Sequence, residues 1–420
     1  MKIFIVCSNL RFGGAERVAA TLANGFHEKG HEVIISTNLF EKINYRLHDA
    51  IKVYKLVSTN SNKVKKWSSS VLLLRKQIKK HKPDAIIGIM PTCSLIAKLA
   101  SCGLQIPIIA TEHNSFERPS SAPFSKWRIF EKLYLNKLYP YITVLTEADR
   151  DLISKRFKNV AVMPNPLFIT PITEPSKKEK VILAAGRVDD WHYKGFDVLI
   201  KAWSKIISNE QLEISNYDYS QDGKPSHWWL KIAGDGKKES FEYLMNLLPD
   251  AEWVFNDNDD DNDDDNKSGI WRSEKYRIEF LGFQKDMESL YKKSGIFVLS
   301  SRYEGFGLVL IEAMSQGCAC VACDYKGRQR EILSPLQGDS LKVNGYSDHG
   351  IEVTENGILC EPDDVDALAE AMTKMIIDDK YRESVSINAV ERSKYYSLEK
   401  TTVRWEGLLD KIVNKQEGRS

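Results

Sequence analysis

Two glutamates are separated by seven residues in Ser301-Arg-Tyr-Glu304-Gly-Phe-Gly-Leu-Val-Leu-Ile-Glu312-Ala-Met. Glu304 falls in a loop. A helix beginning near Leu308 carries Glu312 about one turn in, on the side facing its own N-terminal loop. Each carboxylate can accept paired hydrogen bonds from the hydroxyls of one polyol. The amides of Phe306, Gly307 and Leu308, in the turn that Gly305 opens, can cap a phosphate between them. Hydroxyls at both ends and a diphosphate in the middle describe a nucleotide sugar. Glu312 lies in an otherwise apolar helix, a costly place for a carboxylate without a partner, which argues against two incidental surface acids.

Three weaker features point to the same ligand. Gly13-Gly14 stands where an apolar run passes into a helical pattern, and a helix N-terminus offers unpaired N–H groups suited to phosphate, although a tight turn also needs glycine. Gly186-Arg187 follows an apolar run and Lys194-Gly195 precedes a helix. Two cations at a sheet edge can clamp a diphosphate, Arg187 by its fork and Lys194 as a point charge; the plain alternative is two solvated loop charges. Gly234-Asp-Gly236 makes a tight turn at the same edge, more an architectural feature than a direct contact.

These residues need a scaffold with strands ending at one edge, and the hydrophobic pattern supplies it. Residues 2–8 read as a strand, a helical pattern follows the 11–17 turn through Val18, Ala19, Leu22, Ala23 and Phe26 and is ended by Gly30, and 33–36 reads as the next strand, a βαβ unit that implies a parallel sheet. Further strands are expected at 85–89, 106–111, 141–145 and 160–163. Pro164-Asn-Pro166 and the following loop to residue 180 mark a linker. A second series has strands at 181–186, 229–233, 278–281, 296–299 and 319–323 with helices at 196–207, 239–248, 287–293 and 308–316, and 364–415 is helical. The fold class is α/β, two doubly wound domains whose ligands bind at the carboxyl ends of strands, facing a cleft.

With 420 residues, 42% of them hydrophobic, the chain can bury two or three cores. Its formal charge of +1 hides an asymmetry: residues 1–170 carry 26 Lys and Arg against 12 Asp and Glu, and the remainder is acidic. A basic first half suggests an anionic partner for that half. Its densest stretch, 63–82, mixes eight Lys and Arg with Trp67, Val71, Leu72, Leu74 and Ile78, as an interfacial helix or a solvated helix with one core-facing stripe would. Residues 124–139 are a second such segment. No apolar run reaches the ~18 residues of a membrane span, and the short apolar start reads as a strand, not a signal peptide. Seven scattered cysteines fit a reducing cytoplasm better than a disulfide framework. Cys318-Ala-Cys-Val-Ala-Cys323 lies on an expected buried strand and reads as core packing. Asn256 to Asn266, with seven aspartates, is expected to be a disordered insertion, and its D-x-D spacing lacks the glycine and final glutamate of a calcium loop.

Together the blocks GGAERV (13–18), GR…KGFD (186–197), IAGDG (232–236), FLGF (280–283) and SRYEGFGLVLIEAMSQG (301–317) make the chain resemble the family 4 glycosyltransferases along nearly its whole length. The resemblance implies the GT-B fold: an acceptor-binding domain over 1–170, a nucleotide-sugar-binding domain over 171–395, and a helix at 396–420 crossing back toward the first. It implies transfer with retention of configuration. Arg187 and Lys194 would bind the donor diphosphate, Glu312 the ribose and Glu304 the sugar. Gly13 and Gly14 would lie beside the diphosphate or acceptor, Gly234 and Gly305 would line the donor, and the backbone near Phe283 and Gln284 would meet the base. His113, at the end of an expected strand, would approach the donor sugar. Six residues separate Arg187 from Lys194, longer than the family's common spacing, and the acidic insertion is a second departure.

The mechanism expected is electrostatic. Arg187, Lys194 and helix N-termini would stabilise the departing diphosphate, so no metal or other cofactor is required. The expected partners are a nucleotide sugar, a UDP-sugar by family frequency, and a lipid-linked glycan. The basic first half would rest peripherally on the cytoplasmic face of an anionic membrane, with no nucleic acid bound. A nucleotide-sugar epimerase, a nucleic-acid-binding protein and a non-catalytic nucleotide-sugar-binding scaffold remain the alternatives. The nucleic-acid reading leaves Glu304 and Glu312 unexplained.

Overall fold

The computed structural model describes residues 1–11, 13–38, 43–56, 63–118, 123–174, 176–208, 227–248, 250–256, 270–334, 346–347 and 349–417. The aspartate-rich run from 257 onward, with its D-x-D spacing, lies outside the described residues. The chain divides into two compact units.

The first unit, Met1–Phe168 with Tyr396–Ser420, is built on seven strands. They are β1 (Lys2–Val6), β2 (Glu32–Thr37), β3 (Lys52–Lys55), β4 (Ala85–Ile89), β5 (Ile108–Thr111), β6 (Tyr141–Val144) and β7 (Val160–Val162). Their order is β3-β2-β1-β4-β5-β6-β7, and every pairing is parallel. Central strands such as Ile3-Phe-Ile-Val6 are buried on both faces, as a helix-covered parallel sheet requires. The helices are α1 (Gly14–Glu28), α2 (Lys63–His81), α3 (Pro91–Ala100), α4 (Lys126–Leu133) and α5 (Glu147–Ser154). Ser125 and Thr146 cap α4 and α5 through their hydroxyls. In α2, Ser70, Leu74 and Ile78 form the buried stripe, while Trp67 and Leu72 stay exposed. The helix Leu398–Glu417 packs on α1: Trp405 meets Phe26 edge-on at 6.4 Å, and Glu406 reaches His31 Nε2 at 2.8 Å.

The second unit, Ile169–Tyr395, holds β8 (Glu179–Ala185), β9 (Trp229–Ala233), β10 (Val254–Asn256), β11 (Ile270–Ser273), β12 (Ile278–Gly282), β13 (Ser294–Leu299), β14 (Ala319–Cys323), β15 (Ile351–Thr354) and β16 (Gly357–Cys360). The order is β10-β11-β12-β9-β8-β13-β14-β16-β15, parallel from β12 to β16 with antiparallel edges. Its helices are α6 (Trp191–Lys194), α7 (Phe196–Ser208), α8 (Lys238–Met245), α9 (Met287–Lys293), α10 (Leu308–Ser315), α11 (Arg328–Leu333), α12 (Val365–Ile377) and α13 (Asp379–Ser393); the helix Leu398–Glu417 is α14.

Three details correct or extend the sequence reading. The helical stretch expected over 364–415 divides into α12, α13 and α14, with Asp378 leaving helical geometry to cap α13 and Leu167 pairing with Ser397 where the chain re-enters the first unit. Strands β3, β10, β11, β15 and β16 were not anticipated. Cys318, Cys320 and Cys323 are buried free thiols on or beside β14, and burial pushes Cys318 up to about 11, so they pack as small hydrophobes. No helix among the described residues is long and apolar enough to cross a membrane.

Candidate active site

Adjacent strands β12, β9, β8 and β13 end at one edge of the second sheet, and each hands over to a segment singled out by sequence. β8 leads into Gly186-Arg187, β9 into Gly234, β12 into Phe283 and Gln284, and β13 into Ser300–Glu304. The strand ends are tied by backbone bonds, Gly186 N–H to Ala233 O at 3.0 Å and Gly234 N–H to Gly282 O at 2.9 Å. A Cβ on Gly234 would sit 1.7 Å from Gly186 O, so this glycine is needed for close approach of the loops. Gln284 turns its amide back onto Leu281 O at 2.6 Å, and Phe283 beside it is exposed.

The six residues between Arg187 and Lys194 fold into a short 3₁₀ turn and the one-turn helix α6, which returns Lys194 to the sheet edge. Gly195 ends α6 at φ +64°, and a Cβ there would lie 1.9 Å from Ser300 O, so only glycine lets the lysine turn sit on the glutamate loop. Lys194 Nζ meets Glu304 Oε1 at 2.5 Å, and Ser301 Oγ donates to the same oxygen at 3.1 Å. Arg187 is 69% exposed and its guanidinium lies 3.8 Å from Asp190 among the described residues, leaving it accessible to a ligand.

Arg302 was not singled out by sequence. Its fork grips Asp197 at 2.6 and 2.8 Å, it donates to His192 O at 2.6 Å, and it pairs with Asp363. Its own N–H donates to Tyr193 O at 2.9 Å. One side chain thus holds the Glu304 loop against the Lys194 turn and the start of α7. The signal was present: Arg302 lies two residues before Glu304, and Asp197 closes the Lys194-Gly-Phe-Asp197 block.

Glu312 is buried one turn into α10, after the Gly305-Phe306-Gly307 turn and Leu308, and accepts the Tyr291 hydroxyl at 3.1 Å. That bond offsets part of the burial cost expected of a carboxylate in an apolar helix.

In the first unit Gly13 caps α1 and Gly14 begins it, but the Gly13 N–H is 3.0 Å from the Tyr45 hydroxyl, and Glu16 stands in the first turn with Ser8 on its carboxylate at 3.2 Å. A phosphate at this terminus would have to displace or tolerate Glu16. His113 follows β5 with both ring nitrogens engaged. Nδ1 lies 3.1 Å from Asn165 Oδ1, an acceptor that selects the Nδ1–H tautomer, and Nε2 faces the Thr111 hydroxyl at 3.0 Å.

Burial lowers the His113 pKa to about 4, against the pull of the Asn165 bond, so the ring is neutral at pH 7. The unfolded chain titrates this group near 6.5. Between those values the unfolded state takes a proton that the native state refuses. Stability is therefore intact above 6.5 and falls by roughly 3 kcal/mol as pH drops through the window. Urea midpoints from pH 7 to pH 4 should show this slope, and His113→Gln should flatten it; parallel curves would rule the linkage out.

The model of the glycosyl transferases group 1 matches residues 168–392, and that of glycosyltransferase family 4 matches residues 12–167. The chain belongs to the group 1 glycosyl transferases. This glycosyltransferase is 27% identical, across 99% of both chains, to a Campylobacter jejuni alpha-1,4-N-acetyl-D-galactosaminyltransferase named for a PP-undecaprenol-linked acceptor. It is 24% identical, over 82% of its length and 80% of the relative's, to an Escherichia coli UDP-Gal:alpha-D-GlcNAc-diphosphoundecaprenol alpha-1,3-galactosyltransferase. Among solved structures, sucrose-phosphate synthase from Thermosynechococcus elongatus superposes with a TM-score of 0.71 at 16% identity, covering 99% of both chains. Anabaena Alr3699/HepE, solved with UDP, gives 0.68 at 17% identity, covering 98% of this chain and all of that one. These likenesses establish the GT-B fold of the glycosyltransferase.

Proposed function

We propose that the enzyme transfers a sugar from a UDP-sugar to a lipid-linked glycan with retention of configuration, in the assembly of a bacterial surface polysaccharide or glycan. The observation that carries this reading is the single sheet edge on which exposed Arg187, the Lys194–Glu304 pair and the α10 turn leading to Glu312 converge. The bond from the sugar's anomeric carbon to the diphosphate breaks, and a bond to the acceptor oxygen forms on the same face. The acceptor's proton passes to the departing phosphate oxygen. Arg187 and Lys194 take up the charge that develops there, the role a metal ion plays in other transferases, so the reading needs no metal. Glu304 holds sugar hydroxyls and Glu312 the ribose. The names of the Campylobacter and Escherichia relatives support an undecaprenyl-diphosphate-linked acceptor, and the latter a UDP-sugar.

Such an acceptor places the work at a membrane surface, and α4 has a face suited to it. Trp127, Phe130 and Tyr134 are exposed in a row, with ring centroids 5.7 and 5.4 Å apart. The helix's one acid, Glu131, is buried and paired with Arg128 at 2.7 Å, and the exposed charges of Lys126 on the helix and Lys137 in the 3₁₀ turn after it are positive.

The test is nucleoside-diphosphate release from a panel of donors, with the purified enzyme, anionic vesicles and bacterial lipid extract, and Glu312→Gln as control. Release from one donor that needs the lipid extract and is lost in the variant supports the reading. Absence of binding to every nucleotide sugar rejects it. Trp127→Ser with Phe130→Ser should lower sedimentation with phosphatidylglycerol vesicles about tenfold or more; unchanged sedimentation would remove α4 from the membrane contact.

A further inference from the structure

The inner face of α4 carries a buried ion pair that neither the fold nor the donor site uses. The Lys132 side chain is 4% exposed and the Glu112 side chain 2%, and Nζ meets Oε2 at 2.5 Å. The same ammonium donates to the backbone carbonyls of Asn114 at 3.2 Å and Ser115 at 3.0 Å, and stands over the Phe116 ring at 4.3 Å. All three of its donors are thereby spent on the segment that brackets His113. Other groups fix that segment's ends. Glu112 N–H donates to Thr143 O at 3.0 Å, and Asp149 accepts from the Ser115 hydroxyl and the Phe116 N–H, each at 3.0 Å. Between those ends Lys132 takes the two backbone carbonyls, while the Asn114 amide reaches Met90 Sδ at 3.9 Å.

Stability is a poor account of this arrangement. Two charges taken wholly from water lose hydration that their attraction only about repays, and an apolar pair of the same volume would serve the core as well or better. Glu112 Oε1 is buried with no hydrogen-bond partner among the described residues, a further cost. Apolar replacements would, however, leave the Asn114 and Ser115 carbonyls without the group that fixes their direction, and His113 turns on the bonds between them.

We propose that Lys132 and Glu112 are positioning residues for His113: the α4 ammonium, itself fixed by Glu112, holds residues 112–115 in the one course that seats the imidazole between Thr111 and Asn165. The proposal rests on the reading in which His113 takes part in sugar transfer. Its test therefore includes a measurement that does not need turnover.

The experiment compares the full-length wild type with Lys132→Met and with the double variant Lys132→Met/Glu112→Gln. The double variant removes both charges at nearly constant volume and loses only the bonds to the two carbonyls, so it should melt below the wild type but above Lys132→Met, which also strands a carboxylate. In both, the ¹⁵N signals of the His113 ring, assigned by their loss in His113→Gln, should leave their wild-type positions as the Thr111 and Asn165 bonds loosen. With an active donor and acceptor, both should lose kcat by about 10²-fold at nearly unchanged donor KM, the penalty of a group displaced by about an ångström. A double variant with wild-type ring signals overturns the proposal, whatever its stability. Displaced ring signals with unchanged kcat would leave the positioning intact and remove His113 from the transfer.

Discussion

Lys194→Met should lower sugar transfer by about 10²- to 10³-fold while leaving the fold in place. That magnitude is the usual consequence of deleting one preorganised group that faces charge developing in a transition state. The fold is spared because the pair lies at a partly open sheet edge: the lysine side chain is 25% exposed and the glutamate 16%. An ion pair so placed contributes about 1 kcal/mol or less to stability, and Ser301 Oγ still donates to Glu304 after the lysine is gone. The pairing has a second consequence. In the free enzyme the ammonium is neutralised by Glu304, so an arriving diphosphate competes with a carboxylate for it. Glu304→Gln should therefore bind UDP several-fold more tightly while turning over far more slowly, because the residue that opposes product binding is also the one assigned to the sugar. Titration calorimetry with UDP and steady-state rates on the same preparations check both halves. Equal UDP affinity in wild type and Glu304→Gln would mean that Lys194 does not meet the diphosphate.

Much of this edge was legible in the sequence because its parts are backbone-bound signals. Glycine at 186, 195, 234 and 307 marks strand ends and loop approaches, and the apolar periods fix β8, β9, β12 and β13. The partnership across it was not legible. Lys194 and Glu304 stand 110 residues apart, and no local pattern states that they touch. Strands β10 and β11 are three and four residues long and flank the aspartate run in sequence, too short to show alternation. Helix α4 was legible on its outer face only: an interfacial helix was one of the two readings of residues 124–139, and Trp127, Phe130 and Tyr134 do face out, but Glu131 and Lys132 are buried. A helix that inverts the usual pattern spends its inner face on charge, and the residue types alone do not reveal which of its cations is the buried one.

Arg302→Met should be the more damaging change to the fold, by about 3–5 kcal/mol, because it strands a buried acid. Asp197 is 7% exposed, and its two carboxylate oxygens are taken by the two ends of the Arg302 fork. Its place in the first turn of α7 gives some compensation from the helix N-terminus, which argues for the lower end of that range. Arg302→Lys separates charge from geometry. A lysine can return a positive charge to Asp197, but a single ammonium has no planar fork and does not also bridge to His192 O and Asp363 in the same directions. The lysine variant should thus recover most of the stability and little of the rate, since the α6 turn that carries Lys194 loses the guanidinium bond to His192 O and keeps the Ser300 hydroxyl on Lys194 O and the residue-302 N–H on Tyr193 O. Urea unfolding monitored on the second unit's tryptophans, read beside kcat, distinguishes the two contributions. If Arg302→Lys restored the rate along with the stability, charge alone would suffice at this position. The rigid link between the lysine turn and the glutamate loop would then be a packing feature without consequence for transfer.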